Sequence, residues 1–257
     1  MEWKKLPIGH SDFKRVIEED FYYVDKSLLI KELIDSGSLI TILPRPRRFG
    51  KTLNLNMLKC FFERKETEEK NIFTNLAMWQ AGEKYREQYA QYPVIYLTFK
   101  DVKLNDWPRC LGKIQRDISS LYRTHKGILS SPELDGEEKE RFKALMNEKA
   151  SSGLYSDSLK QLMEYLHRVY KSKIIVLIDE YDIPIQQGYT EGFYKEVVEF
   201  MKTFLSGGLK DNPYLERAVL TGILRVSKES IFSDLNNPEV CTLLSHQYAD
   251  KFGLLEE

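Results

Sequence analysis

Residues 45–52 read RPRRFGKT. Its last three residues, Gly50, Lys51 and Thr52, match the end of the phosphate-binding loop signature G-x-x-x-x-G-K-[ST]. The signature also requires a glycine five positions before Gly50, where this chain has Arg45. Because three residues alone are a weak signal, the interpretation depends on the segments around them.

The flanking segments have the order that a phosphate-binding loop needs. SLITIL (38–43) is a short, β-rich apolar run before Pro44, which predicts a strand. After Thr52, LNLNMLKCFFERK (53–65) repeats apolar residues at helical spacing, which predicts an amphipathic helix. A loop between a strand and a helix N-terminus presents backbone amides and a positive dipole end to a polyphosphate.

The residue types at the end of the stretch suit that ligand. Gly50 lets the backbone approach closely, Lys51 brings a flexible charge to the β- and γ-phosphate oxygens, and the Thr52 hydroxyl can coordinate magnesium. Lys51 is therefore also a candidate catalytic residue. The candidate nucleotide-binding residues are Arg47, Arg48, Phe49, Gly50, Lys51, Thr52 and Leu53.

A second motif, KIIVLIDE (173–180), is an apolar β-rich run that ends in two acids. Ligands of parallel sheets bind beyond the carboxyl ends of the strands. Asp179 therefore suits the carboxylate that holds a magnesium ion, and Glu180 suits the group that orients the attacking water, as in the additional-strand catalytic-glutamate class of ATPases. The alternative is that both acids are the solvated end of a strand.

A third run, RAVLTGIL (217–224), fits the same plan. In the catalytic-glutamate class, a strand inserted between the loop strand and the magnesium-acid strand carries a sensor residue. Thr221 would lie beside the γ-phosphate in that position, and Arg225 could reach phosphate from the following loop. The alternatives are an ordinary β-branched strand residue and a surface arginine.

The whole pattern predicts an α/β three-layer sandwich. Apolar runs without alternation predict strands covered on both faces, and helices between them predict parallel crossovers. The predicted sheet is mainly parallel and five-stranded, with its other strands in 92–99 and, more weakly, 240–244. Helices are predicted over 25–37, in most of a helical insertion around 106–170, and over 190–208 with a glycine stop.

Composition narrows the function classes. The chain has 257 residues, of which 42% are hydrophobic, and its net charge of −1 gives no support to nucleic-acid binding. Three scattered cysteines and an N-terminus without an apolar segment are typical of a cytoplasmic protein. No apolar run is long enough for a membrane helix, and the four histidines show no zinc-type spacing.

Four stretches together resemble the bacterial AAA-ATPase-like family over essentially the whole chain: 6–35, LPRPRRFGKTLNLNMLKCFF (43–62), IIVLIDEYDIPI (174–185) and 220–244. The family's loop itself reads RPRRFGK[ST], so the resemblance makes Arg45 expected. It implies a P-loop NTPase fold of the additional-strand catalytic-glutamate type that binds ATP and Mg²⁺. By position, Asp179 would be the magnesium acid and Glu180 the catalytic base.

The resemblance also implies a domain plan. We expect a single AAA-ATPase-like domain over 1–257, with a core over 39–250 and an N-terminal segment (1–38) that packs near the nucleotide. Tyr23 and Asp25 are candidates there for base contact, or else for core packing and helix capping. Family members usually continue into a small helical lid and a PD-(D/E)XK nuclease-like domain. We expect both to be absent here, and hydrolysis to be slow without the lid.

Three functions stay open from the sequence. The first is a magnesium-dependent ATPase that drives a conformational switch. The second is a non-hydrolysing nucleotide-binding or scaffold module, with a protein partner or a second copy of the chain. The third is a factor in nucleic-acid processing or defence, and it rests only on association at the level of the family. Arg47 and Arg48 could serve phosphates, a partner or only the solvent.

Overall fold

The structure, a computed structural model, describes residues 3–65, 67, 69–223, 231–232, 235–236 and 238–254. Its centre is a five-stranded sheet in which every pair is parallel and the order is β2-β3-β4-β1-β5. The strands are β1 (Ile40–Pro44), β2 (Val94–Thr98), β3 (Ile174–Asp179), β4 (Leu215–Gly222) and β5 (Glu239–Val240). The predicted α/β architecture is confirmed, and β4 lies between β1 and β3 as expected.

Helices cover both faces of this sheet. The α-helices of the described chain are α1 (Phe13–Glu18), α2 (Leu28–Ser36), α3 (Lys51–Phe62), α4 (Ala77–Gln80), α5 (Glu83–Arg86), α6 (Trp107–Thr124), α7 (Gly136–Met146), α8 (Ser152–Tyr170), α9 (Ile183–Glu191) and α10 (Tyr194–Leu209). Short 3-10 helices lie at Lys126–Ser130, after α6, and at Ala249–Lys251.

Two apolar cores explain why the strands read as continuous apolar runs. On one face, Val176 and Leu220 pack with buried residues of α6, α7, α8 and α10. On the other, Leu177 and Val219 pack with α2 and α3. Because successive residues of a strand point to opposite faces, a sheet buried on both sides needs apolar residues at every position.

The helical region predicted around 106–170 is confirmed as α6, α7 and α8. It forms part of one outer layer, since α6 contacts β2 and α8 contacts β3. Sequence-local signals start these helices: Asp106 accepts a hydrogen bond from the Arg109 amide at the start of α6, and Asp135 and Glu138 form a capping box at the start of α7.

The helix predicted over 190–208 is wrong in its bounds and in its stop. Gly192, at φ +86°, ends α9, and α10 begins only at Tyr194. Gly207 and Gly208 lie inside α10, which continues to Leu209. A Cβ on Gly208 would lie 2.4 Å from Leu159 Cδ2 of α8, so the glycine allows close helix packing and does not end the helix.

The fifth strand is shorter than predicted. β5 pairs with Thr41 and Ile42 of β1 through its two residues, Glu239 and Val240. The chain then turns, because the Thr242 amide donates to the Ser245 hydroxyl oxygen at 3.0 Å. Leu243 and Leu244, which extended the apolar run in the sequence, lie in this turn and are exposed.

Candidate nucleotide-binding site

The phosphate-loop sequence joins β1 to α3 at the carboxyl edge of the sheet. Gly50, at φ +76°, is the residue before the first turn of α3, and its carbonyl accepts the Asn54 amide at 2.9 Å. This left-handed conformation suits glycine, which has no Cβ. Arg47, Arg48 and Gly50 are exposed, so the tip of the loop faces solvent.

The Lys51 side chain folds back over the loop. Its ammonium group donates to the carbonyl oxygens of Arg45 and Pro46, each at 3.1 Å, and the residue is 5% exposed. Burial lowers the Lys51 pKa from its ordinary value, and the nearby charges of Glu180 and Asp179 offset part of that effect. The site therefore holds a largely desolvated cation beside two acids.

Asp179 brings two further predicted residues together. One carboxylate oxygen, Oδ2, accepts from the Thr52 hydroxyl at 2.7 Å, and the other, Oδ1, accepts from the Thr221 hydroxyl at 2.7 Å. Sheet register explains this contact, since Asp179 of β3 is level with Thr221 of β4, which is level with Leu43 of β1. Both oxygens of a fully buried carboxylate are thereby oriented.

Glu180 follows Asp179 and leaves the sheet through an unusual backbone conformation. Its φ of +53° lies in the left-handed region, which costs energy for a residue with a side chain. The half-buried carboxyl has a pKa raised above its ordinary value, first by desolvation and then by the charge of Asp179. A strained backbone and a carboxyl with a shifted pKa, both found here in Glu180, are typical of functional sites.

A further acid, Asp182, supports this edge of the sheet from the start of α9. Its Oδ2 accepts from the Ile223 amide at 2.9 Å and from the Gln186 side chain at 2.5 Å. A Cβ on Gly222 would lie 2.5 Å from Asp182 Oδ1. Asp182 therefore holds the end of β4 against the start of α9.

Arg45, which stands in place of the signature glycine, points away from the exposed tip of the loop. It is 1% exposed, and its guanidinium donates to the carbonyl oxygens of Cys241 at 2.6 Å and of Pro44 at 2.9 Å. No sequence pattern indicates the contact with Cys241, which is 196 residues away. The Arg45 charge is therefore used inside the protein, unlike the exposed charges of Arg47 and Arg48.

The remaining candidates have different placements. Phe49 is half-buried, and its carbonyl oxygen accepts the Gly253 amide at 3.2 Å; Leu53 is half-buried in the first turn of α3.

Tyr23 packs against α3, where its hydroxyl donates to Met57 Sδ at 3.4 Å, while Asp25 accepts the Ser27 amide at 2.8 Å. The Tyr23 contact is core packing, and the Asp25 contact is a local turn before α2, whose N-cap residue, Ser27, makes no side-chain cap hydrogen bond. Arg225 lies outside the described residues.

The oxygen atoms at the site suit a magnesium ion that is held jointly with phosphate. Magnesium in such sites binds one or two protein oxygens and keeps several waters. The Thr52 hydroxyl and the Asp179 carboxylate are hard oxygen donors in contact with each other. In the part of the chain that the structure describes, no group of three or more His, Cys, Asp or Glu side chains could hold a metal by itself.

The sequence matches a known protein family over most of its length. The family described as "Predicted AAA-ATPase" matches residues 7–232, which include the loop, the two acids and the strand between them. The chain belongs to the predicted AAA-ATPase family. This membership supports a nucleotide-binding, ATPase-like module and agrees with the observed strand order.

A curated relative adds no assigned activity. The chain is 29% identical over 239 residues to an uncharacterized protein in the vnfD 5' region of Azotobacter chroococcum mcd 1. The match covers 92% of this chain and 40% of that relative. No solved structure matches the chain. Among the described residues, none of the helices has the length and apolar character to cross a membrane.

Proposed function

We propose that the chain binds ATP with Mg²⁺ at the 45–52 loop and hydrolyses it. The observation that carries this proposal is the contact of Asp179 with both Thr52 and Thr221 at 2.7 Å. This contact joins the end of β3 to the first turn of the loop helix and to the strand between them. A carboxylate and a hydroxyl in contact beside a phosphate-type loop are the protein ligands of a magnesium–nucleotide site.

Each side chain has a distinct part in the proposed binding. The amides at the N-terminus of α3 receive phosphate oxygens, and the dipole of α3 favours their negative charge. Lys51 leaves the two carbonyls of Arg45 and Pro46 for the β- and γ-phosphates, where a charged partner replaces neutral ones. Phe49 and Leu53 contact the nucleotide from either side of Gly50.

Hydrolysis depends on the second acid. Thr52 and Asp179 would hold the magnesium, which neutralises charge that develops on the phosphates. Glu180 accepts a proton from the attacking water, and its raised pKa makes it a stronger base than a free glutamate. Thr221 keeps the Asp179 carboxylate in one orientation. The left-handed backbone at Glu180 turns the acid out of the strand direction.

Two substitutions test binding and turnover separately. Lys51→Ala removes the phosphate charge, and we expect affinity for a non-hydrolysable ATP analogue with Mg²⁺ to fall by about 10- to 100-fold. Glu180→Gln keeps the shape, and we expect affinity within about threefold but single-turnover hydrolysis about 10²- to 10⁴-fold slower. The control is Lys143→Ala on α7, where the lysine forms an exposed ion pair with Glu140.

The outcomes separate the alternatives. Binding by the Lys51→Ala protein equal to that of the wild type, measured by calorimetry, contradicts the proposed site. Wild-type binding with no single-turnover hydrolysis, and no difference for Glu180→Gln, favours the non-hydrolysing or scaffold module. Hydrolysis that depends on Glu180 supports an ATPase whose cycle can drive a conformational switch.

A further inference from the structure

Arg45 is the residue that departs from the phosphate-loop signature, and its side chain reaches the last described segment of the chain. One guanidinium nitrogen, Nη1, donates to the Cys241 carbonyl oxygen at 2.6 Å. The other, Nη2, donates to the Tyr248 carbonyl oxygen at 3.4 Å. The Phe252 ring covers the guanidinium, with its centroid 4.9 Å from Cζ. The segment 241–253 therefore surrounds the end of the Arg45 side chain.

This environment is unusual for a charge. Arg45 is 1% exposed, and within the described ranges no carboxylate forms an ion pair with it. Three backbone carbonyls and an aromatic face hold it instead, and burial lowers the pKa of the guanidinium. A buried charge without a counter-ion is costly.

Two more contacts attach the same segment to the loop and its helix. The Gly253 amide donates to the Phe49 carbonyl oxygen at 3.2 Å, and the Asn54 side chain donates to the Lys251 carbonyl oxygen at 2.8 Å. A Cβ on Gly253 would lie 3.0 Å from the Phe49 ring, and φ there is +71°. The segment is thus attached at the start of the loop, at its end and at the first turn of α3.

We propose that Arg45 is a positioning residue that couples occupancy of the phosphate loop to the packing of the segment 241–253. The proposal rests on the proposed function. The loop can present its amides in one shape only while both of its ends are held, and Arg45 and Phe49 hold them to this segment. By linkage, a polyphosphate that stabilises this loop shape stabilises the packed segment to the same extent, and the packed segment tightens binding.

For the variant Arg45→Gly, the proposed coupling predicts the opposite effect on binding from the one that the phosphate-loop signature predicts. Arg45→Gly restores the glycine five positions before Gly50, which by the signature alone should improve the loop. Because it removes the contacts to Cys241, Tyr248 and Phe252, we expect weaker binding. Arg45→Met removes the charge and the hydrogen bonds but keeps the length of the side chain, and it should have the same effect.

The test measures the segment and the ligand in the same protein. Hydrogen exchange of residues 239–254 is followed with and without a non-hydrolysable ATP analogue and Mg²⁺, and affinity is measured by calorimetry. In the wild type, the analogue should slow exchange of the Cys241 and Gly253 amides at least about fivefold. In Arg45→Met and Arg45→Gly, these amides should exchange faster without ligand, and affinity should fall about tenfold.

Matched variants keep the outcome clear. Asn54→Ala breaks the contact to Lys251 without altering Arg45, so it should give a smaller effect of the same kind even if the Arg45 variants unfold. Arg141→Met on α7 removes an arginine that forms an exposed ion pair with Glu137, and it should change neither quantity. Circular dichroism melts establish that each variant is folded.

The two proposals fail in different ways. If the wild type binds the analogue, and folded Arg45→Met binds equally well with unchanged exchange at 239–254, the coupling is wrong and the nucleotide site stands. If the wild type binds no nucleotide, the proposed function is wrong and the coupling with it. Faster exchange in the Arg45 variants without ligand would then show a purely structural clamp, which also overturns the coupling.

Discussion

The Thr52 hydroxyl lies 2.7 Å from one carboxylate oxygen of Asp179, although 127 residues separate the two in the chain. Both residues stand where a regular element begins or ends, Thr52 in the first turn of α3 and Asp179 at the last position of β3. Parallel strands bring these ends to one edge of the sheet, which is where such sheets bind ligands. The contact therefore ties the phosphate loop to the second motif.

Asp179→Asn should uncouple nucleotide binding from magnesium. The amide keeps the size of the side chain but loses the charge, so we expect affinity for a non-hydrolysable ATP analogue without metal to stay the same or rise. The gain in affinity on adding Mg²⁺ should fall by at least about tenfold, as is usual when metal ligands or their supports are changed. Calorimetric titrations at several Mg²⁺ concentrations measure this gain.

Thr52→Val should repeat the loss of magnesium dependence from the other side of the contact. Glu140→Gln on α7, where the acid is exposed, serves as the control for the removal of one negative charge. A full magnesium effect in both Asp179→Asn and Thr52→Val would show that the metal is held elsewhere.

Thr221→Val tests whether the Thr221 hydroxyl orients Asp179. Valine has nearly the same shape, so packing is kept while the 2.7 Å hydrogen bond is lost. Asp179 Oδ1 is then left without this partner in a buried place, and we expect the free energy of unfolding to fall by about 1–3 kcal/mol. Thr221→Ser should restore the hydrogen bond and most of the stability, as measured by urea denaturation.

The neighbouring strand offers a matched control for Thr221→Val. Thr41 of β1 is also fully buried, but its hydroxyl oxygen has no hydrogen-bond partner among the described residues. Thr41→Val removes an unsatisfied polar group, so we expect it to be neutral or to stabilise the protein by up to about 1 kcal/mol. Equal effects at the two sites would mean that the hydrogen bond to Asp179 contributes nothing.

Strand ends and register explain why this part of the site was predictable. KIIVLIDE placed Asp179 at the end of a strand, and RAVLTGIL placed Thr221 near the end of another. Once the strands lie side by side, register alone brings Thr221 level with Asp179. A local pattern is sufficient here because parallel strands align their carboxyl ends.

The placement of Arg45 could not be predicted in the same way. Its carbonyl partners, Cys241 and Tyr248, are 196 and 203 residues away in the chain and use only backbone atoms. Because every residue carries a backbone carbonyl, no sequence motif indicates which carbonyls Arg45 contacts. Gly208 raises the same difficulty, since local pattern reads glycine as a helix stop, and only the approach of Leu159 gives its reason.

The adjacent glycines of α10 allow a direct test of that reason. A Cβ on Gly207 would meet nothing within 4 Å, so Gly207→Ala should stabilise the helix by about 0.5–1 kcal/mol. A Cβ on Gly208 would lie 2.5 Å from Leu159 Cγ, so Gly208→Ala should destabilise the protein by about 1–3 kcal/mol. Urea denaturation of the two variants gives both values.

Leu159→Ala supplies the control for the Gly208 prediction. It makes room on α8, so the cost of Gly208→Ala should shrink in the double variant, whereas the effect of Gly207→Ala should be unchanged. The same cost for Gly208→Ala in both backgrounds would contradict a contact with Leu159 as its cause.

We expect the free energy of unfolding to depend on pH through His125, which lies at the end of α6. Burial, and to a smaller extent the charge of Lys59, lowers the pKa of His125 to about 4. The cavity that it lines measures about 550 Å³, and its other titratable or charged lining residues are Lys59, Glu63, Arg64, Lys65, Tyr96 and Tyr170. The native protein therefore keeps a neutral imidazole where the unfolded chain, with an ordinary histidine pKa of about 6.5, binds a proton.

The sign of the effect follows from proton binding. Between pH 6.5 and pH 4 the unfolded state holds one more proton than the native state, so acid favours unfolding. We expect the His125 contribution to be constant above pH 6.5 and to decrease as the pH falls, by about 1.4 kcal/mol per unit. His125→Asn should remove this slope, and the difference between wild-type and variant urea denaturation at pH 7, 6 and 5 isolates it from the carboxylates. Lys59→Met, by removing the nearby charge, should raise the native-state pKa of His125 and so narrow the pH window of the effect at its acid end. A slope that survives His125→Asn intact would assign the acid sensitivity to other groups.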